Sequence, residues 1–187
     1  MDHYLDIRLR PDPEFPDHQL MDALFAKLHR ALTAHQRSDI GISFPELRAR
    51  SAKLGSLMRL HGTPDALRSL MASAWLRGMS EMVELRAISQ VPGEALHRRL
   101  VRVQAKSSPE RLRRRLMRRK QISAEAACAQ IPDSAAERLN LPFVEIASRS
   151  TGQKFRLFLR QDPPSAQPID GPFNAYGLSQ TATVPWF

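Results

Sequence analysis

Residues 1–35 read MDHYLDIRLRPDPEFPDHQLMDALFAKLHRALTAH, and this stretch decides how the fold begins. HYLDIRL, at 3–9, alternates and reads as a strand with Tyr4, Ile7 and Leu9 as apolar members. Pro11, Pro13 and Pro16 end it, because a proline cannot donate to a sheet ladder. Leu20, Leu24, Leu28 and Leu32 then recur at helical spacing, which predicts a helix over 17–35 with Asp17 as its N-cap.

The pattern continues outward from there. Ile40, Ile42 and Phe44 fit a second strand that stops at Pro45, and LGSLMRLH at 54–61 fits a third. Thr63-Pro64-Asp65 places an N-cap, a first-position proline and a first-turn acid in succession, opening a helix to about Ser73. MVELRAISQ at 82–90 reads as a fourth strand. The order strand, helix, strand, strand, helix, strand is the ferredoxin-like pattern.

Past residue 92 the texture changes. A strand is expected over 96–104, then a helix opened by Ser108-Pro109-Glu110, and a shorter helix near 123–130. Residues 143–149 and 154–160 read as a hairpin around Ser150-Thr151-Gly152-Gln153. A proline-rich loop over 162–172, a strand near 173–178 and the tail Val184-Pro185-Trp186-Phe187 complete the chain. The expectation is therefore an α+β protein. A ferredoxin-like domain covers 1–94, and a second domain over 95–187 carries an arginine-rich helix and a β-hairpin.

The net charge of +9 is not spread over the surface. Residues 98–120 hold 11 of the 28 basic residues and only one acid, Glu110, which leaves 17 basic and 18 acidic residues elsewhere. The whole basic excess lies in 23 residues, as expected of a footprint for a polyanion. At 100° per residue, Arg111, Arg114, Arg115, Arg118 and Arg119 fall within a stripe roughly 140° wide. Leu112, Leu116 and Met117 lie mainly outside it and can pack on the body. Like charges at this spacing repel unless phosphates neutralise them, and the planar guanidinium fork grips phosphate bidentately. Composition alone does not choose between DNA and RNA. A-form RNA admits a helix only where its narrow major groove opens, so a hairpin is the better RNA target.

Other chemistries are disfavoured. There is no CxxC, no HExxH and no tight Asp/Glu cluster, so no metal is expected. The eight glycines are scattered and form no phosphate-cradling loop, so no nucleotide cofactor is expected either. No apolar run approaches membrane-spanning length, the N-terminus lacks a signal peptide's basic and apolar regions, and Cys128 is the single cysteine. A cytoplasmic location without membrane association is the expectation.

Among side chains, imidazole, with a pKa of about 6.5, is the one best suited to act as a general base near neutral pH. Six histidines are present: His3, His18, His29, His35, His61 and His97. Residue patterns alone do not select among them. His29 sits one step off its helix's apolar stripe and can line an edge. Ser148 would pass for an ordinary strand serine, Tyr176 and Phe155 for core, and Gln104 for a surface polar residue.

The stretches VRVQAKSSPERLRRRLMRR (101–119), LPFVEIASRSTGQKFRLFLR (141–160) and AYGLSQTATVPWF (175–187) closely resemble the CRISPR-repeat endoribonuclease of the type I-F (Csy) system. The opening MDHYLDIRLRPDPEFP and the position of His29 match as well. The resemblance implies a metal-independent enzyme that binds the stem-loop of the repeat RNA. It would cut at the 3′ base of the stem by 2′-hydroxyl attack, leaving 5′-hydroxyl and 2′,3′-cyclic phosphate ends. It would then stay on the mature guide RNA as part of the interference complex, contacting that complex's other subunits, and be a monomer when free.

Residue by residue, the resemblance makes His29 the catalytic histidine, Ser148 the serine that holds the reacting ribose and Tyr176 the tyrosine beside the histidine. Arg102 and Gln104 would read bases at the foot of the stem, and Phe155 would stack on the terminal pair. Arg114, Arg115, Arg118 and Arg119 would enter the groove, with Lys106, Arg111 and Lys120 adding RNA contacts. Ser150 and Thr151 lie in the active-site hairpin. Lys120 stands where the family's best-known form has histidine, and the loop Gln180-Thr181-Ala182-Thr183 lacks the glycines common in the wider superfamily. An alternative reading is a subunit that binds an RNA hairpin and cuts little or not at all. A DNA-binding or ribosome-associated protein is a third.

Overall fold

The computed structural model describes residues 1–47, 53–104, 109–133, 139–147 and 152–187. Four of the expected site residues, Lys106, Ser148, Ser150 and Thr151, lie outside them. The class is α+β. Two compact units are present: Met1–Arg102 together with Leu141–Phe187, and Val103–Asn140.

The first unit is built on β1 (His3–Leu9), which pairs antiparallel with β3 (Leu57–Gly62). β3 pairs in turn with β2 (Gly41–Ser43). On its other edge β1 pairs with β4 (Val83–Leu85) and β5 (Ser89–Gln90). The order is β2-β3-β1-β4, all antiparallel. α1 (Asp17–Ala34) buries Leu20, Met21, Leu24, Phe25, Leu28 and Leu32, its whole apolar stripe. α2 (Pro64–Ala72) buries Ala66, Leu67 and Leu70, and both helices pack on β1. Thr63 Oγ1 accepts the Ala66 amide at 3.2 Å, an N-cap worth about 1 kcal/mol.

The fourth expected strand, over 82–90, is divided. Ser80–Met82 form a 3-10 turn, and β4 and β5 are separate pieces. Ile7 faces Leu85 and Tyr4 faces Ser89, so three residues, 86–88, oppose two on β1. The extra residue is a bulge, pinned where the Arg86 amide donates to the Asp6 carbonyl at 3.0 Å. Asp17 is not the N-cap of α1. Pro16 holds that place in an extended conformation, and Asp17 enters the first turn, where its charge still favours the helix dipole.

The single strand expected over 96–104 is two. β6 (Leu96–Arg98) pairs with β10 (Val184–Trp186), whereas β7 (Leu100–Val103) joins β9 (Lys154–Gln161) and β8 (Phe143–Ala147) in the order β7-β9-β8. The chain changes sheet at Arg99. Its carbonyl accepts the Asp162 amide at 3.0 Å, and its side chain binds the Asp162 carboxylate and the Gln180 carbonyl. β8 and β9 form the expected antiparallel hairpin, with Ile146 opposite Phe155. β8 lies against α1, and Asp22 Oδ1 accepts the Glu145 amide at 2.9 Å. Leu100, Val144, Ile146, Leu157 and Leu159 therefore share one core with α1 and the first sheet.

The strand expected near 173–178 is a turn. Asn174 Oδ1 accepts the Tyr176 and Leu178 amides at 2.8 and 3.2 Å, the Asn174 amide donates to Leu178 O, and Gly177 takes a φ of +70°. An Asn side chain that satisfies its own loop, with a glycine in the left-handed region, outweighs a weak alternation.

The second unit contains α3 (Pro109–Lys120) and α4 (Ala124–Gln130), packed on each other. Ser123 caps α4 through the Ala126 amide at 3.1 Å.

Candidate active site

His29 projects from α1, two helical turns beyond Met21 on the edge of the buried stripe, and is half-buried. Its Nδ1 lies 2.8 Å from the Ala175 carbonyl oxygen. A carbonyl only accepts, so Nδ1 carries the proton and the neutral ring keeps its lone pair on Nε2. The Tyr176 ring stacks on the imidazole at 4.0 Å between centroids and 12° between planes. Behind it Phe25 stacks on Tyr176 at 6.0 Å and Phe44 on Phe25 at 6.5 Å, so the pair rests on the core.

The turn at 174–178 makes this arrangement. The Ile42 amide donates to Gly177 O at 3.0 Å, docking the turn on β2. A Cβ on Gly177 would meet Ile42 Cγ2 at 2.7 Å, so only glycine permits the approach. Chain positions 29 and 176 thus meet because the turn seats on the sheet, and neither periodicity nor spacing signals that meeting.

His29, Tyr176 and Phe155 line one cavity of about 390 Å³, with Ile146 and Ala147 from β8 and Ala26 from α1. Ser148 follows directly on Ala147, and its own placement is outside the described residues. Arg102 stands over Phe155 with its guanidinium carbon 5.8 Å from the ring centre, at the limit of cation–π range. The structure thus brings together His29, Tyr176, Phe155 and Arg102. Two groups that residue patterns did not nominate belong here. The Ala175 carbonyl orients the imidazole, and the Asn-x-x-Gly spacing at 174–177 was the turn signal that could have found it. The exposed Arg30 adds positive charge to the cavity wall. The arrangement offers a base on an oriented imidazole, aromatic faces and a cation beside an open cavity.

In the second unit the arginine stripe is formed as expected. Arg111, Arg114, Arg115, Arg118, Arg119 and Lys120 are exposed, and Leu112, Leu116 and Met117 are half-buried. Arg113, on the packed side, donates to the Ile131 carbonyl and pairs with Asp133, both at 2.7 Å. Its role is to hold α3 in place. Arg114, Arg115, Arg118 and Arg119 make no ion pair with a described acid. Gln104 is exposed in the same unit. Four unneutralised guanidiniums on one helical side form a surface for a polyanion.

The family model described as CRISPR-associated protein (Cas_Csy4) matches residues 4–187. The chain belongs to the Csy4 family. Two Csy4-family relatives agree along their full length. A CRISPR-associated endonuclease Cas6/Csy4 of Pseudomonas aeruginosa (strain UCBPP-PA14) is 52% identical over 187 residues, all of both chains. Another protein of that name, from Escherichia coli (strain UTI89 / UPEC), is 44% identical over the same length, again all of both chains. The family that the sequence resembles is thus the Csy4 family to which it belongs. Among the described residues, no helix is long and apolar enough to cross a membrane.

Proposed function

We propose that this protein is an endoribonuclease that binds the stem-loop of CRISPR repeat RNA and cuts at its 3′ base. The observation that carries the reading is the 2.8 Å bond between His29 Nδ1 and the Ala175 carbonyl. It leaves Nε2 as a base beside the cavity; the relatives' names, CRISPR-associated endonucleases, support cleavage of nucleic acid, and the resemblance of the sequence suggests the repeat RNA.

In this reading His29 takes the proton of the ribose 2′-hydroxyl, which attacks the adjoining phosphorus. The bond from phosphorus to the 5′-oxygen breaks, that oxygen takes a proton from water to leave as a 5′-hydroxyl, and a 2′,3′-cyclic phosphate remains. Because the nucleophile belongs to the substrate, the reaction runs without a metal. Tyr176 keeps the imidazole flat against the core, and Ser148 holds the reacting ribose. Phe155 stacks on the terminal base pair, and Arg102 and Gln104 read the bases at its foot. Arg114, Arg115, Arg118 and Arg119 bind the stem, with Arg111, Lys106, Lys120, Ser150 and Thr151 as further contacts. The protein is then a monomer until it joins an interference complex, and it keeps its product. The β2-β3-β1-β4 order supports a ferredoxin-like fold in the 1–94 half, with RNA recognition assigned to 95–187.

The test is incubation of the purified protein with a repeat hairpin in EDTA. A product ending in a cyclic phosphate is expected. His29→Ala should lose cutting and keep binding, and unchanged cutting in that variant sinks the reading. Wild-type protein that binds the hairpin without cutting it would make this a non-cleaving hairpin-binding subunit.

A further inference from the structure

The His29 cavity adjoins a second one along α1. Ala26 and Ala147 line both it and a second cavity of about 560 Å³, whose other walls include Asp22, Phe143, Lys154 and Arg156. Small side chains stand where the two adjoin. A third cavity, of about 500 Å³, shares His18, Asp22 and Phe143 with the second and reaches Pro16. At about 1.5 Å per helical residue, the groove from His29 back to His18 is about 16 Å long. Apart from His29 itself, none of the α1 residues along it has a part in the reaction proposed above.

We propose that this groove binds the single-stranded RNA on the side of the scissile phosphate away from the stem. The inference rests on the proposed function. In that reading Phe155 and Arg102 mark where the stem ends, so a longer substrate must carry its other strand out of the cavity. The adjoining cavity begins at Ala26 and Ala147.

The groove has the chemistry of a single strand's site. Phe143 is a half-buried ring with the Arg156 guanidinium 4.6 Å above its centre, a stacking platform for a base. Lys154 and Arg156 are 74% and 58% exposed and only 3.7 and 4.0 Å from Glu145, so a backbone phosphate can reach both, Arg156 from its place over the Phe143 ring. Between them the groove carries two carboxylates, Asp22 and Glu145. A carboxylate accepts from the amino group of a base and repels a phosphate. The site therefore discriminates: bases that carry an amino group, cytosine above all, fit the carboxylates, and uracil offers them no such donor.

The experiment uses the full chain and a repeat stem-loop with a 2′-deoxy sugar at the attacking position, so that binding is read without cutting. One RNA ends at the cut site, and two others continue for four cytidines or four uridines. The cytidine extension should tighten binding about fivefold or more, and the uridine extension less. The double variant Lys154→Ala, Arg156→Ala should lose that gain and keep the affinity for the unextended RNA. Equal affinity for all three RNAs overturns the inference, as does a gain that survives in the double variant. Failure of the unextended stem-loop to bind would overturn the function reading itself, and the groove's assignment with it.

Discussion

The imidazole of His29 and the carbonyl of Ala175, 146 residues apart in the chain, lie 2.8 Å apart in the fold. That single hydrogen bond sets which nitrogen of His29 is basic. The carbonyl is aimed by Asn174, whose side chain closes the turn through the Tyr176 and Leu178 amides.

Asn174→Ala should therefore lower the cutting rate about 10- to 100-fold through misplacement of the base, with stem-loop affinity unchanged. Asn174→Asp keeps the acceptor oxygen and should recover most of the loss. Single-turnover rates of the two variants, with the His29 tautomer read by nitrogen NMR, check this. A wild-type tautomer in Asn174→Ala would show that the turn does not orient the ring.

The exposed stripe on α3 predicts a salt signature. Replacing Arg115 and Arg118 together by alanine should weaken RNA binding sharply. It should also flatten the dependence of log Kd on log salt, by about 0.7–0.9 for each phosphate that the helix no longer neutralises. Titration of the stem-loop at several salt concentrations measures the slope. An unaltered slope would mean that α3 does not touch the RNA.

A buried ion pair gives a stability prediction. Asp6 and Arg59 face each other across β1 and β3, with Nε–Oδ1 and Nη2–Oδ2 distances of 2.6 and 2.9 Å. Arg59 also rests against both the Tyr4 and Phe187 rings, at 4.5 and 4.1 Å. Asp6→Ala strands that guanidinium and should cost about 3–5 kcal/mol in urea unfolding. Replacing both partners, as Asp6→Leu with Arg59→Met, should cost clearly less than the single change.

His61 supplies a pH dependence. It is wholly buried, with Nε2 2.8 Å from Ser43 Oγ. Burial, reinforced by the nearby Arg59, pushes its pKa down to about 3. The unfolded chain, with an ordinary histidine pKa of about 6.5, binds more protons between those values, so stability rises with pH there. The stabilisation is complete above about 6.5 and is lost as the pH falls toward 3. Unfolding free energies, measured from neutral pH down to about two pH units below it, should fall steeply in the wild type and less steeply in Ser43→Ala, His61→Phe. Equal slopes would remove His61 as the cause.

How much was legible beforehand depends on the range of the interaction. The helices α1, α2, α3 and α4 were all readable, because capping and apolar spacing act within a few residues. The arginine stripe was readable for the same reason, since a helix converts sequence spacing directly into direction. Strand limits were poorer. The bulge at 86–88 and the change of sheet at Arg99 depend on partners far away in the chain, and an alternating pattern carries no trace of them.

By itself, then, the sequence determined local form and charge: which segments are helices, where the basic excess lies and which face of α3 presents it. The tertiary structure alone decided that Tyr176, which the resemblance set beside His29, lies flat against its ring, that Ala175 orients it, and that Asp22, Phe143 and Lys154 line one groove. The physical reason is that local preferences are settled by neighbours in the chain. A site is settled by packing, and it exists only once a turn near residue 176 has docked on β2 and a hairpin near residue 147 on the helix that begins at Asp17.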